Sequence, residues 1–512
     1  MDDFAPGIVV TPDLQDASPK ERMRHAGAIA RKIQEMDEAR EARRKAANAE
    51  RKRRDAQAEF AAGRGGVDAL EYARMVAEYR RAHNAVAPPA VRHGAPSVWD
   101  GDRDSSSKIR VCIRKRPIIP IEAKHHEFDS LTVLPRADGA NEHPNSLVVH
   151  EQKRKLDMSR EMTHHEYGFD AVFSERAGAR EVFEGTGVPR LVQHAVGGNT
   201  CTIFCMGQTS SGKTVTMEGL DPAQEALQGG EPVPEEPGLY ALTARAVFAR
   251  MQEVRTLATL SAGQSRREGS RMAGVSAKGP AALRVLISFY EIYRGGVFDL
   301  LARSDTGDRT RLAIREDGKG VPNVVGLTHK EMNSALEVEA LVKTASAARA
   351  MAVTAANVRS SRSHAVLQLR VCSDEDAAKA LADGGGGGGK LSLIDLAGSE
   401  RASDAVSTDQ QTRIEGAQIN KSLLCLKECI RALSGARNQH IPFRGSKLTQ
   451  VLKDGFVGAH SRSVMIANLS PANTSCEYSL NTLRYAQRVK EMSRDSAAPA
   501  PVAGHAAAAA AA

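Results

Sequence analysis

A short apolar run, Cys201–Met206, leads directly into the segment Gly207-Gln208-Thr209-Ser210-Ser211-Gly212-Lys213-Thr214. This segment matches the phosphate-loop pattern G-x-x-x-x-G-K-[ST], which joins a strand to a helix. In such a loop backbone N–H groups surround the β-phosphate, Lys213 carries charge to the β- and γ-phosphates, and the Thr214 hydroxyl coordinates Mg²⁺. The alternative, a coincidental glycine-rich turn, is disfavoured by the preceding apolar run. The motif therefore predicts a nucleotide-binding P-loop fold.

The chain after residue 108 alternates short apolar runs with amphipathic stretches, which predicts an α/β fold with helices on both faces of a mostly parallel or mixed sheet. Strands are predicted at Ile109–Ile113, Thr200–Met206, Arg284–Tyr290, Ala365–Val371 and Lys390–Ile394. Helices are predicted at Glu181–Ala195, Leu239–Arg255, Ala335–Val353 and Gly416–Leu433. Ala258–Pro280 is predicted to be a surface insertion, and the glycines Gly384–Gly389 a hairpin loop between two strands.

Charge and cysteine content limit the possible partners and compartments. The net charge of +8 fits nucleic acid, an anionic membrane or an acidic protein surface equally well. The seven cysteines form no CxxC pair and no zinc spacing, which indicates a reducing compartment. The acidic N-terminus has no apolar signal region, and no run of about 18 apolar residues occurs. We therefore expect a cytoplasmic protein that does not span a membrane.

Two polar segments follow the phosphate loop in the sequence. Asn357–His364 reads NVRSSRSH, and Asp395–Glu400 reads DLAGSE directly after the predicted strand Leu391–Ile394. Each segment alone is compatible with ordinary loop polarity. In this order after the phosphate loop, they resemble the switch I (NxxSSRSH) and switch II (DLAGSE) motifs of kinesins.

The resemblance to kinesins implies ATP and Mg²⁺ as ligands of the site. Ser361 would complete the Mg²⁺ shell together with Thr214, and Asp395 would hold a magnesium-bound water. Asn357 and Ser360 would line the γ-phosphate. These roles fit phosphoryl transfer, which needs neutralised γ-oxygens and a positioned water.

The resemblance also implies how the site closes. The Gly398 amide would sense the γ-phosphate, and Arg362 and Glu400 would form the ion pair that joins the two switches and positions the attacking water. Such a buried pair adds little stability, because desolvation offsets most of its Coulomb energy. It is better interpreted as a latch.

Arg114-Lys115-Arg116-Pro117 resembles the RxRP segment that lies beside the adenine in kinesins. There Arg114 and Arg116 could stack on the base, and Pro117 could pack against it. The chain departs from the common pattern at Met206 and Val215, where many kinesins have Tyr and His. The adenine site is therefore expected to be less aromatic.

Further motifs extend the resemblance over roughly Lys108 to Glu491. The helix Asn420–Leu433 and the residues Arg444 and Lys447 correspond to the tubulin-facing side of kinesins. Tubulin is acidic, which explains the positive charge of the chain better than nucleic acid does, since no nucleic-acid-reading module is recognisable. The remaining segments that carry the resemblance are Tyr290–Tyr293, Arg413–Ala417, Ile419–Leu423, His440–Thr449 and Asn481–Ala486.

Three features resemble the kinesin-13, or internal-motor, class, which depolymerises microtubule ends. The triplet Lys427-Glu428-Cys429 lies on the predicted tubulin-facing helix. Glu71–Val76 reads EYARMV and resembles the neck helix that precedes the motor in this class. Lys155-Leu156-Asp157 occupies the place of the Lys-Val-Asp tip that is proposed to press into the tubulin interface.

The sequence divides into five parts. Residues 1–17 are predicted to be disordered, 18–82 to be a basic helical neck region, 83–107 a linker, 108–492 the kinesin motor domain, and 493–512 a disordered Ala/Pro-rich tail. Ser18–Phe60 has 13 Lys/Arg against 8 Asp/Glu and predicts a long helix, either a solvated arm or a dedicated binding arm. A second helix is predicted over Val67–Arg81, with one face formed by Leu70, Ala73, Met75, Val76 and Tyr79.

Several functions remain open beside an ATP-dependent depolymerase. A plus-end-directed walking kinesin needs a coiled coil after the motor, and only 21 residues without heptads follow Glu491. A nucleotide-regulated microtubule-binding protein without depolymerase activity is the second alternative. The thin apolar stripe of the N-terminal arm favours a monomer.

Overall fold

The computed structural model describes residues 69–85, 108–135, 145–155, 159–220, 235–267, 283–302, 311–318, 320–351, 361–384, 386–400, 410–434, 440–458 and 460–495. The predicted arm Ser18–Phe60, the switch I residues Asn357 and Ser360, and the triplet residues Leu156 and Asp157 lie outside the described residues. The chain divides into two compact units, Met1–Leu70 and Glu71–Ala512. The second unit contains nearly all of the described residues.

The strands of the described part are β1 (Ile109–Lys115), β2 (Leu131–Leu134), β3 (Ser146–Arg154), β4 (Arg160–Gly168), β5 (Ala171–Phe173), β6 (Thr200–Met206), β7 (Gly219–Leu220), β8 (Glu236–Pro237), β9 (Leu283–Tyr293), β10 (Gly296–Asp299), β11 (Arg311–Glu316), β12 (Pro322–Val325), β13 (Lys330–Met332), β14 (His364–Ser373), β15 (Gly389–Asp395) and β16 (Arg462–Leu469). The helices are α1 (69–82), α2 (Pro120–Lys124), α3 (Ala179–Gly185), α4 (Val188–Val196), α5 (Lys213–Glu218), α6 (Leu239–Arg267), α7 (Ala335–Met351), α8 (Asp374–Asp383), α9 (Gln410–Ser434), α10 (Lys447–Val457) and α11 (Cys476–Asp495).

The main sheet is mixed, as the sequence predicts. Its strand order is β12-β11-β10-β9-β14-β15-β6-β16-β1-β5, and β13 also pairs with β9. The strands β15, β6, β16, β1 and β5 are parallel, whereas β14, β9, β10, β11 and β12 pair antiparallel. The parallel half places the carboxyl ends of β6 and β15 next to each other, where such sheets bind ligands.

Each face of the sheet is covered by its own set of helices. Successive side chains of a strand point to opposite faces, so β6 contributes to two cores. Phe204 and Met206 pack with residues of α9, α10 and α11. Ile203 and Cys205 pack with residues of α3, α4, α6 and α7. The predicted layers are therefore present.

Three predicted elements differ in the structure. The helix predicted at Glu181–Ala195 is divided into α3 and α4, because Pro189 in the first turn of α4 has no N–H with which to continue the earlier helix. The connection between β14 and β15 is not a simple glycine loop. It contains α8, whose N-cap Ser373 accepts a hydrogen bond from the Asp376 N–H at 3.2 Å. Helix α6 also extends to Arg267, into the predicted insertion.

Helix α1 packs on a separate three-stranded sheet of order β2-β3-β4. Tyr72 and Val76 are its buried residues, whereas Leu70 is 73% exposed. The prediction that Leu70 belongs to the buried face is therefore wrong. Tyr72 and Val76, which are four residues apart and so lie on one side of the helix, form the face that packs on the sheet. Among the described residues, no helix has the length and apolar character needed to span a membrane.

Candidate nucleotide-binding site

The phosphate loop lies between the carboxyl end of β6 and α5. Gly212 has φ 94°, a left-handed conformation that glycine adopts without steric cost, and it forms the N-cap of α5. The buried Lys213 ammonium donates to the carbonyl oxygens of Gly207 at 3.0 Å and Gln208 at 2.7 Å. Burial lowers the pKa of Lys213, while nearby Asp395 and Glu400 act in the opposite direction. The loop thus holds a desolvated cation where phosphates are expected.

Asp395 meets the phosphate loop at the end of β15. The Thr214 hydroxyl donates to Asp395 Oδ2 at 2.9 Å. The other carboxylate oxygen, Oδ1, is buried and has no hydrogen-bond partner among the residues that the structure describes. Burial raises the pKa of Asp395, and the charges of Arg349 and Lys213 partly offset this. A hydroxyl and a carboxylate with an unused oxygen are hard oxygen donors that fit Mg²⁺ or its bound water.

Arg349 belongs to the same buried cluster and was not predicted. Its guanidinium lies 3.9 Å from Asp395 Oδ2 and 3.9 Å from Glu291 Oε2, and it donates to the Ser363 hydroxyl at 3.2 Å. It comes from the last turn of α7, where the sequence shows only a helix former. No motif marks it, because its partners come from three other elements. Burial raises the pKa of the neighbouring Glu218.

Backbone hydrogen bonds join switch II both to switch I and to the phosphate loop. The Gly398 N–H donates to the Ser361 carbonyl at 2.9 Å, which connects switch II to switch I. The Ser399 N–H donates to the Gly207 carbonyl at 3.1 Å, which connects switch II to the phosphate loop. The three segments that the sequence singles out therefore lie together in space.

His364 links the site to α9. The Ala397 N–H donates to His364 Nδ1 at 3.0 Å, so the other ring nitrogen, Nε2, carries the proton and donates to the Ser422 hydroxyl at 2.8 Å. Ser422 in turn donates to the Ile419 carbonyl at 2.7 Å. Burial, with the charges of Arg349 and Lys213, lowers the pKa of His364 to about 3. The imidazole is therefore neutral and fixed in one tautomer.

The structure gives Arg362 and Glu400 other partners than each other. Arg362 Nη1 donates to Glu415 Oε2 at 3.0 Å. Glu400 Oε2 accepts from the Thr209 N–H at 2.8 Å, and Glu400 Oε1 accepts from the Thr209 hydroxyl. The implied pairing of Arg362 with Glu400 is thus replaced here by two contacts, one to α9 and one to the phosphate loop.

Glu415 collects three donors at the start of α9. Besides Arg362, it accepts hydrogen bonds from the Tyr293 hydroxyl at 2.5 Å and from the Arg294 guanidinium. Burial alone would raise the pKa of Glu415, but the hydrogen bonds from Tyr293, Arg294 and Arg362 outweigh it and lower the pKa. Glu415 is therefore a charged carboxylate that holds the switch I arginine. No motif in the sequence indicates this role for Glu415.

The residues predicted beside the adenine have defined positions. Arg114 donates to the Thr216 hydroxyl of α5 at 2.9 Å, so its guanidinium is directed at the helix after the phosphate loop. Burial lowers the pKa of Arg114. Arg116 donates to the Ser210 carbonyl at 2.6 Å and forms an ion pair with Glu122. Pro117 is exposed next to Arg116. Stacking of these residues on a base stays a prediction.

Comparison with known proteins decides the family. The family model described as the kinesin motor domain matches residues 114–492. The chain belongs to the kinesin family. The fold class and the expected activity, a kinesin-type ATPase, are confirmed by this membership.

Relatives of this kinesin include the kinesin-like protein KIF24 of Mus musculus, 42% identical over 387 residues, and that of Homo sapiens, 41% identical over 387 residues. Each match covers 76% of the chain and 24% of the relative, so the chain spans about a quarter of the length of these proteins.

Two solved structures resemble the fold of this kinesin. One is the motor domain of the Kar3-like kinesin from Ashbya gossypii, with a TM-score of 0.53 and 27% identity, covering 75% of this chain and 99% of that one. The other is a fast kinesin, with a TM-score of 0.56 and 27% identity, covering 75% of this chain and 92% of that one.

The segments predicted to face tubulin lie on α9, on α10 and before α10. Cys429 is fully buried among the residues packed under α9, so the predicted tubulin contact is wrong for this residue. Lys427 lies over the ring of Tyr485, and exposed Glu428 pairs with Arg431 at 3.0 Å.

The basic residues at the start of α10 have intramolecular partners. Arg444 remains largely exposed while it pairs with Glu316 at 3.1 Å, and Lys447 donates to Gln450 at 3.4 Å. Arg444 and Glu316 are exposed, which leaves Arg444 able to exchange onto an acidic surface, whereas Lys447 and Gln450 are half-buried.

Proposed function

We propose that this kinesin is a microtubule depolymerase of the kinesin-13 type. It acts in the cytoplasm on the microtubule cytoskeleton as a monomer, binds tubulin rather than nucleic acid or membrane, and uses ATP hydrolysis to remove tubulin from microtubule ends. Membership of the kinesin family supports the coarser function, an ATP-dependent microtubule motor.

The described residues support defined roles in nucleotide binding. Lys213 is desolvated and donates to two loop carbonyls, so phosphate oxygens would stabilise its charge more than these carbonyls do. Thr214, Ser361 and Asp395 would hold Mg²⁺, directly or through water. When bound, this ion would neutralise charge on the β- and γ-oxygens.

The contacts of Glu400 suggest how the site closes. In this structure Glu400 accepts a hydrogen bond from the Thr209 N–H, which belongs to the phosphate loop. If Arg362 moves from Glu415 to Glu400, the Arg362–Glu400 pair forms and the Thr209 N–H becomes available to a phosphate oxygen. Formation of the latch and completion of the phosphate site would therefore occur together. The Gly398 N–H donates to the Ser361 carbonyl, and this hydrogen bond would couple the movement to switch I.

One observation carries the depolymerase proposal: the β3–β4 hairpin stands outside the main sheet and has a basic end. Each strand has nine residues, so the hairpin is about 30 Å long. The base of β3, from Leu147 to His150, is buried, whereas Lys153, Arg154 and Lys155 are exposed at the end. A projecting basic end fits an acidic tubulin surface.

The test uses stabilised fluorescent microtubules with ATP or a non-hydrolysable analogue. We expect end shortening with ATP, and loss of shortening when Lys155, Leu156 and Asp157 are all replaced by Ala. Lattice-stimulated ATPase should persist in this variant, because contacts made only in the strained tubulin state affect product formation rather than ground-state binding. Lys379→Ala, which removes an exposed charge from α8, is the matched control.

The alternatives give different results in the same assay. Directional transport without shortening would identify a walking motor. Nucleotide-dependent binding with neither transport nor shortening would identify a regulated microtubule-binding protein.

A further inference from the structure

Helix α1 contacts both strands of the β3–β4 hairpin close to its end. The Tyr72 hydroxyl donates to the Lys153 carbonyl of β3 at 3.0 Å. On the other strand, Arg160 forms an ion pair with Glu71 of α1. Lys153 and Arg160 flank the turn at the end of the hairpin, so α1 holds each strand where it enters the turn.

The opposite end of α1 is attached to the base of the same small sheet. The Arg80 guanidinium donates to the Leu131 carbonyl at 2.9 Å and the Thr132 hydroxyl at 2.9 Å. It also pairs with Asp129 at 2.9 Å. Between the two ends, the Tyr79 ring lies 4.4 Å from the ring of His164 on β4. Helix α1 therefore runs along the small sheet, where it contacts β2 with Arg80, the middle of the hairpin with Tyr79 and the end of the hairpin with Tyr72 and Glu71.

The end of the hairpin is also closed by contacts between its own two strands. Within the described residues, the turn is closed by the Lys155 N–H, which donates to the Ser159 carbonyl at 3.0 Å, and by the ion pair of Lys155 with Glu161 at 3.7 Å. Both of these contacts lie inside the hairpin. Strand β2 pairs with β3 at Ser146–Val149, so the outer part of the hairpin is two-stranded. A two-stranded hairpin is marginally stable by itself in water, so an external support changes its order strongly.

We propose that α1 is a clamp that sets the direction of the β3–β4 hairpin and thereby positions its basic end on tubulin. The helix then determines how well the hairpin engages a microtubule end without entering the nucleotide site. The effect on microtubule shortening rests on the proposed depolymerase function, whereas the clamp itself is argued from the contacts of α1.

The experiment reverses the charges of the Glu71–Arg160 pair. Glu71→Arg and Arg160→Glu each place like charges together, and the double variant restores attraction. We expect each single variant to exchange the Lys155 amide about threefold faster, the size of effect that an exposed ion pair has, and the double variant to recover. End shortening should fall and recover in parallel, while basal and lattice-stimulated ATPase stay unchanged.

The matched control lies on the same helix. Arg74 pairs with Glu78 along the exposed side of α1, so Arg74→Glu changes the same charge without contact to the hairpin. This variant should retain normal exchange and shortening.

Unchanged exchange in both single variants, or loss that the double variant does not restore, would overturn the clamp. Faster exchange with normal shortening would overturn its role in positioning the hairpin on tubulin. If the unaltered protein fails to shorten microtubules, the depolymerase proposal fails, and recovery of the Lys155 amide in the double variant still decides the clamp.

Discussion

Replacing Glu415 by Gln should raise the ATPase rate of this kinesin in the absence of microtubules. Glu415 holds Arg362 at 3.0 Å and thereby keeps it from Glu400. Glutamine has nearly the same shape but no charge, so it retains a weaker hydrogen bond to Arg362. The substitution therefore shifts Arg362 towards Glu400 and favours the closed switches.

The size of the effect follows from the burial of the pair. The side chains of Glu415 and Arg362 are 8% and 19% exposed, so solvent screens their interaction only partly. Arg362 stays charged, so it keeps a hydrogen bond to the glutamine oxygen, and what the substitution removes is the Coulomb attraction to the carboxylate, about 1–2 kcal/mol for a partly buried pair. A loss of about 1.4 kcal/mol changes the ratio of the two Arg362 positions about tenfold. Basal turnover should rise by up to this factor.

Steady-state phosphate release without microtubules measures this rate, and single-turnover measurements separate hydrolysis from product release. Tyr293→Phe is the matched control, since it removes another hydrogen bond to Glu415 but leaves the contact with Arg362. This control should keep the basal rate. A basal rate that is unchanged or lower in a folded Glu415→Gln protein would refute the competition between Glu415 and Glu400 for Arg362.

Three further predictions concern the site and the fold. Lys213→Ala should lose nucleotide affinity, whereas Glu400→Ala should still bind a fluorescent ATP analogue but release no phosphate; equal and full turnover in either variant would contradict the assigned roles. Gly389→Ala would place a Cβ 1.7 Å from a carbonyl oxygen of α4, so the free energy of unfolding, measured by urea denaturation, should fall by at least about 2 kcal/mol. In Gly318→Ala the added Cβ meets no atom within 4 Å, so this control should keep its stability. In the unfolded chain His364 is protonated below its ordinary pKa of 6.5, whereas in the folded chain its pKa is lowered to about 3. Protonation therefore favours the unfolded chain, and the free energy of unfolding should decline as the pH falls below 6.5. At pH 5.5 this residue should cost about 1.4 kcal/mol, and His364→Asn should reduce the difference between urea midpoints at pH 7.5 and 5.5.

Much of the fold follows from local patterns in the sequence. The strand Thr200–Met206 is bounded as predicted, because a run of apolar and β-branched residues ends at a glycine-rich loop. The division at Pro189 and the helix α8 were missed. Pro189 indicates the break, but the apolar residues on both sides of it keep a helical spacing that predicts one continuous helix. Helix α8 is short and precedes the run of glycines, which by itself predicts a loop, although Ser373 supplies an N-cap.

The site was predictable where it is written as contiguous motifs. Thr214 and Asp395 were assigned together, and they form a hydrogen bond. Arg349 and Glu415 were not assigned, because each acts through partners that the fold brings from distant elements. Position in a motif does not establish exposure, since Cys429 belongs to the charged triplet Lys427-Glu428-Cys429 but its side chain is buried.

Helix α8 provides an attachment point for single-molecule experiments. It joins β14 and β15 at the end of the sheet opposite to the nucleotide site, and Leu381 near its end is exposed. Six of the seven cysteines are buried, and the other, Cys425, is half-buried. A cysteine introduced at position 381 should therefore react selectively with a maleimide dye. The dye would follow one motor on one microtubule from the end of the sheet opposite to the nucleotide site.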